Sequence, residues 1–409
     1  MAGYATQRNS AVLHAQTQDQ FLENLMQQSP GVFDTYLKNA DSLRIQIIYT
    51  RIDRDARNRP HFTDFTYHLD RQYFYPASTV KMPLSFLSLE KLHELNKPGV
   101  EKFTPMITDS SAPGQEYFLT APLSANGAPS IAHYIKQIFL ISDNDACNRL
   151  YEFLGQQYIK DKLTSKGFPR IEMKKRLSVS LTDEQNRYTN AVHFLDTGSH
   201  IIYSQPPQYS NAQFSNIPEF VGTGYIDQHE KLVMQPYSMT YKNRFPLADL
   251  HHILTGVIFP DPKKPLFNLT SDDYHFLYRY MSAFPRESRY PNYDTTEFFD
   301  TYCKFIYFGS DKTRQTGVVR SFNKPGWSYG FLTDIAYIAD FENNVEFLLS
   351  ATIYCNQDGI LNDDKYDYDS LGQPFLKNLG QTIYQYELHR KRPHIPDLSA
   401  FKIDYSKEY

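Results

Sequence analysis

Strand-like segments stand at both ends of this chain, with helical ones between them. Near the start, the run LRIQIIYT at 43–50 alternates Leu43, Ile45 and Ile47 with polar residues, the period of a half-buried strand. The Arg-, Asp- and Asn-rich stretch 51–60 reads as a turn, and 62–69 as the return strand. Far downstream, 329–339 and 345–354 are apolar-rich strands joined by DFENN, in which Asn343 and Asn344 suit a tight turn. A final helix is expected over 371–389. Within the chain, Leu84, Phe86, Leu87, Leu89, Leu92 and Leu95 predict a buried helix over 82–95. Pro83 is tolerable only in its first turn, so the helix should begin at Ala77–Ser78. A second helix follows Ser142, with Ala146, Leu150, Phe153 and Leu154 on one face and Gly155 as its stop. This order implies an α/β (α+β) fold: an antiparallel sheet built from both chain ends, flanked by helices, with a helical lobe inserted in the middle.

Three regions follow. Residues 1–41 form an N-terminal helical segment, interrupted at Pro30–Gly31. Residues 42–390 form the main domain, with an insertion around 200–320, and 391–409 form a tail. The insertion is rich in Pro, Tyr, Asn and Asp, and shows helical patterning only near 247–254 and 272–284.

Composition removes several functional classes. A charged fraction of 22% among 409 residues argues against global disorder, and a net charge of −4 against a nucleic-acid binder. No window approaches the ~18 uncharged apolar residues of a transmembrane helix. Three cysteines without a C-x-x-C pair fit neither a disulfide scaffold nor a zinc ribbon, and Cys147 reads as a packed thiol. His251-His252 and the other histidines lack metal-ligand spacing, and there is no Gly-rich phosphate loop, so no metal or cofactor is expected. The 32 Tyr and 29 Phe are read as core and surface, not as a ligand platform. The first twenty residues are polar and hold no apolar stretch of signal-peptide length. Either the protein stays in the cytoplasm or a leader has been replaced by a short start.

Three short segments carry chemistry. In PASTVKMP, Ser78 and Lys81 lie three apart at a helix start, on one face. A desolvated lysine can take the proton of a neighbouring hydroxyl, and a helix start offers N–H groups to a developing oxyanion. The second segment, Ser142-Asp143-Asn144, also stands at a helix start, where capping alone would explain it. The third, NKPGWSYG from Asn323, leads into a strand; a turn with a solvated Lys324 would account for it.

Together, S-x-x-K, S-D-N 64 positions later and K-x-G a further 182 on form an ordered set. The set resembles that of the class A β-lactamases and the related D-alanyl-D-alanine peptidases, over about 42–390. The resemblance implies a serine hydrolase acting through an acyl-enzyme on Ser78, first of all in the hydrolysis of β-lactam amides, with a D-alanyl-D-alanine peptidase or esterase, or a slowly deacylating penicillin-binding protein, as the alternative. Lys81 would be the base, and Ser142 would relay a proton to the leaving nitrogen with help from Lys324. Asn144 would position Lys81 and the substrate amide, and the backbone N–H groups of Ser78 and Trp327 would hold the oxyanion. Gly326, Trp327 and Ser328 would line the substrate site. The substrate would be a β-lactam or a peptidoglycan-like peptide, and the compartment periplasmic or otherwise outside the cytoplasm. A module that only binds such compounds is the rival reading; it has no need of a nucleophile–base pair.

Three features depart from the resembled pattern. Pro325 replaces the hydroxyl residue in the middle of K-T-G, leaving Ser328 or Tyr329 as substitutes. The E-x-x-L-N motif, whose Glu activates the deacylating water, is missing. One alignment puts Lys175 at that position and another Leu181, while Glu172, Asp183 and Glu184 read as ordinary loop charges. Slow deacylation, as in a penicillin-binding protein, would follow. The insertion is the third departure: its tyrosines could roof a cleft or merely elaborate the surface.

Overall fold

The computed structural model describes residues 20–111, 116–407 and 409. Strands β1 (Gln46–Arg54) and β2 (Pro60–Tyr67) come from the N-terminal part, and β3 (Val319–Ser328), β4 (Phe331–Asp340) and β5 (Val345–Tyr354) from the C-terminal part. They form one antiparallel sheet in the order β3-β4-β5-β1-β2. The two ends of the chain meet where β1 pairs with β5, Gln46 opposite Thr352. The sheet expected from the two termini is therefore present.

Both faces of the sheet are covered. On one lies the helical lobe, whose helices α1 (Lys81–Leu95), α2 (Ile131–Ile141) and α3 (Asn144–Leu154) bury Phe86, Ile135, Phe139 and Leu150. Helices α4 (Leu247–Ile258) and α5 (Ser271–Ser282) belong to the same core. On the other face, a short helix over 20–27 and α6 (Gln373–His389) pack Leu22, Met26, Phe375 and Leu379 against Ile47, Tyr49 and Phe347. The pleat sends neighbours to opposite cores: Ile48 to the helical lobe, Ile47 and Tyr49 to the other.

The expectation of a half-buried first strand is thereby corrected. Every residue of β1 is buried except Arg51 and Asp53, which are partly so. Polar residues of the strand are satisfied inside. Gln46 donates to Gln72 O at 2.8 Å, and Arg54 makes a two-pronged pair with Glu346 at 2.6 and 2.8 Å. The strand also begins later than expected, because Arg44 takes a left-handed turn at φ +45°.

The middle of the chain is less uniformly helical than its pattern suggests. Val192–Leu195 pairs with Met106–Thr108 and Ile201–Gln205, and Gly224–Ile226 with Leu232–Val233 and Ile360–Leu361. Strands this short carry too few residues for a period to register. The last residues return to the helical lobe, where Leu398 and Phe401 are buried and Arg279 donates to Asp404 O at 2.8 Å. Among the described residues, no helix is long and apolar enough to cross a membrane.

Candidate active site

A short 3-10 turn, Ala77–Val80, precedes α1 and carries Ser78. Ala77 enters it at φ +46°, a strained conformation for a residue with a Cβ. Ser78 faces a cleft of about 410 Å³ that Ser142, Asn144, Trp327, Ser328 and Tyr329 also line. Among the described residues its hydroxyl has no hydrogen-bond partner.

Behind Ser78, Lys81 is fully buried. Its amine donates to the carbonyl of Ser142, to Asn144 Oδ1 at 2.6 Å and, more distantly, to Ser142 Oγ at 3.3 Å. Lys324, also fully buried, donates to the same Ser142 Oγ at 2.8 Å and to Pro325 O at 2.8 Å. Burial, and then the Lys324 charge, push Lys81 down to about 7. Burial brings Lys324 down to about 8, opposed by Cys303 and Asp334. Both amines are thus pushed toward the neutral form. A neutral Lys81 has two N–H bonds, enough for the Ser142 carbonyl and Asn144, and its lone pair is then available as a base.

The S-D-N segment divides its labour. Ser142 ends α2 in a left-handed conformation, φ +60°, which turns its carbonyl and hydroxyl toward the two lysines. Asp143 is the helix cap, accepting from Ala146 N at 2.7 Å. Capping therefore accounts for Asp143 alone.

The K-x-G strand contributes backbone. Glycine is required at 326, because a Cβ there would stand 2.7 Å from Ser78 N and 2.9 Å from Pro76 O. The hairpin between β3 and β4 has a two-residue turn closed by Ser328 and Phe331. Such a closing pair is hydrogen-bonded, so alternation leaves Trp327 opposite Leu332 in a non-bonded pair, with its N–H directed off the sheet edge. Ser78 N–H also has no acceptor among the described residues. Pro325 falls in another non-bonded pair, with Asp334, so its missing N–H removes no ladder bond. Asp334 holds this strand from behind, accepting from Asn323 at 2.8 Å and from Phe305 and Ile306 N at 3.0 Å.

Neither alignment of the loop finds the residue that faces the cleft. Lys175 is drawn away by Asp183 at 2.7 Å, and Leu181 does not line the cleft. Ser178 does, at φ +54°, its hydroxyl accepting from Asn144 Nδ2 at 2.8 Å. Glu172 lines a separate cavity with Arg170 and Arg244, and its carboxylate is held by Ser215 and by Lys174 at 3.0 Å. Asp143 is the one carboxylate among the described cleft-lining residues. The sequence reading also missed Tyr75 and Tyr302 as cleft residues; isolated tyrosines carry no spacing signal. Cys147 is buried, and burial raises its thiol to about 12. No group of three or more His, Cys, Asp or Glu among the described residues is placed to hold a metal ion.

Residues 21–202 match the model of the beta-lactamase enzyme family, a span that includes Ser78, Lys81, Ser142 and Asn144. Over that span the chain is similar to the β-lactamases. Solved structures similar to it include β-lactamases from Xanthomonas campestris (14% identity, 90% of this chain and 98% of that one, TM-score 0.47) and Sphaerobacter thermophilus (13%, 85% and 94%, TM-score 0.45). A class A β-lactamase from Clostridium kluyveri is similar at 13% identity, over 86% of this chain and 97% of that one, TM-score 0.46. A sequence search of curated proteins finds no match.

Proposed function

We propose that this β-lactamase-like protein is a serine acyl-transfer enzyme that acts on a β-lactam or a cell-wall peptide outside the cytoplasm and releases its acyl group slowly. One observation carries the reading: two buried lysines converge on Ser142 beside a cleft into which an unpartnered Ser78 hydroxyl opens. Ser78 Oγ attacks the carbonyl carbon, and its proton passes to the neutral amine of Lys81. The tetrahedral oxyanion lies against the N–H groups of Ser78 and Trp327. As the C–N bond breaks, Ser142 passes its proton to the leaving nitrogen and is reprotonated from the lysines. Asn144 holds Lys81 in place, while Gly326 and Ser328 shape the strand side of the site. Hydrolysis of the resulting ester needs a base for water. Asp143, the one carboxylate among the described cleft-lining residues, is committed to its helix cap.

Intact-protein mass is followed over time after adding benzylpenicillin, with Ser78→Ala as control. A long-lived adduct that depends on Ser78 is expected. A transient adduct with steady drug loss would overturn slow release, and binding that survives in Ser78→Ala without an adduct would favour a non-catalytic binding module.

A further inference from the structure

Tyr329 stands where a tyrosine is least comfortable. It and Gly330 form the β3–β4 turn with φ +52° and +80°, a pair of positions that Asn, Asp and Gly ordinarily occupy. A bulky residue held at positive φ is a strained choice, and strain of this kind persists only where the surroundings enforce it.

The surroundings do enforce it. The Tyr329 hydroxyl accepts from Lys242 Nζ at 2.8 Å, and its ring stacks on Tyr237 with centroids 5.7 Å apart. The edge contact with Tyr75 is at 5.0 Å. Lys242 also lies 5.5 Å from the Tyr237 ring centroid, so one cation braces both phenol rings. Tyr237 and Lys242 belong to the insertion, Tyr75 precedes the nucleophile, and Tyr329 lies just beyond the oxyanion strand. Three distant segments thus fix one ring at the cleft. Tyr302 and Trp327 line the same cleft as a second ring pair, with centroids 6.1 Å apart.

We infer that Tyr329, braced by Lys242 and Tyr237, determines acyl-donor specificity, and that the preferred donor carries an aromatic ring on the group attached beside the scissile carbonyl. Lys242 is a positioning residue that acts through Tyr329. The inference rests on acyl transfer at Ser78. It adds that the ring selects the donor, since offset or edge-on ring contacts favour aromatic over aliphatic groups of similar size.

The test compares Ser78 acylation rates for benzylpenicillin and for a penicillin with a hexanoyl side chain, read by intact mass, in the parent protein, Tyr329→Asn, Tyr329→Phe and Lys242→Met. Asn suits the turn, and Lys242→Met leaves the turn backbone untouched, so a folded variant remains available. The aromatic-to-aliphatic rate ratio should fall about 5-fold in Tyr329→Asn, fall less in Lys242→Met, and be largely kept in Tyr329→Phe. Adducts with both donors at a ratio that Tyr329→Asn leaves unchanged would overturn this inference and leave acyl transfer standing. No Ser78 adduct with either donor in the parent protein would overturn both.

Discussion

Two clusters in this molecule place a basic side chain between hydroxyls, and they have opposite fates. At the cleft, Lys81 and Lys324 meet at Ser142 while Ser78 stays unpartnered and faces open space. Between β1, β5 and α4, His251 bonds Thr50 Oγ1 at 2.7 Å and Ser350 Oγ at 2.8 Å, and Thr50 also bonds Asp64 at 2.5 Å. By residue type the second cluster, an acid with histidine and serine, looks the more catalytic. It is sealed: Thr50, His251 and Ser350 are at most 1% exposed, and both ring nitrogens of His251 are used. Burial pulls both bases downward, Lys81 to about 7 and His251 to about 3. A shifted pKa therefore does not separate a reactive site from a structural network. What differs between the two clusters is an unpartnered hydroxyl that faces an open cleft.

The sharpest test of that contrast is a pair of serine deletions. Ser78→Ala should abolish the penicillin adduct. Ser350→Ala should keep it and lower stability by about 1–3 kcal/mol, because a buried His251 nitrogen loses its partner. Denaturant titration and intact mass read the two effects separately, and adduct loss in Ser350→Ala would break the distinction.

Lys81→Met should slow acylation by about 10² to 10⁴-fold. In the parent protein, the acylation rate should climb as pH rises through about 7, where Lys81 becomes neutral, and decline above about 8 as Lys324 loses its charge. The rising limb should vanish in Lys81→Met.

Ser178→Asp should shorten the adduct lifetime by about tenfold or more. It sets a carboxylate beside Asn144, in a left-handed position that Asp tolerates. Adduct decay measured by mass after removal of free drug would show it; an unchanged lifetime would mean that water does not reach the ester from this side.

The smallest effect belongs to the sealed cluster. The unfolded chain protonates His251 near 6.5, whereas the folded protein resists until about 3. Across that window the unfolded state binds the extra proton, so this contribution to stability is intact above pH 6.5 and is lost as pH falls toward 3. His251→Gln should flatten the loss in melting temperature between pH 6.5 and 4.5 without altering the acylation profile.

Much of this arrangement is legible in the chain. The hairpin at each end, the long helix after Ser78 and the order of the three chemical segments all rest on local period or fixed spacing. The short strands of 192–238 were not legible, since two to five residues cannot establish a period. Ser178 was missed because the loop carries no motif, and its approach to Asn144 comes from chain folding alone. Tyr329 was noted only as a spare hydroxyl; its bracing by Lys242 and Tyr237 joins residues about ninety positions apart.

Residue order by itself pointed to a sheet shared by the two ends of the chain and singled out Ser78, Lys81, Ser142 and Lys324 as the set for which acyl transfer is proposed. The sheet follows from hydrophobic period, a local property, and the set from the order and spacing of three segments that resemble the β-lactamase pattern. Tertiary structure decided what surrounds them: the left-handed turns at Ala77, Ser142, Ser178 and Tyr329, the burial that brings Lys81 to about 7, and the engagement of nearby acids elsewhere. Solvent exclusion and long-range hydrogen bonding set these, and both exist only once the sheet, the helical lobe and the insertion have packed.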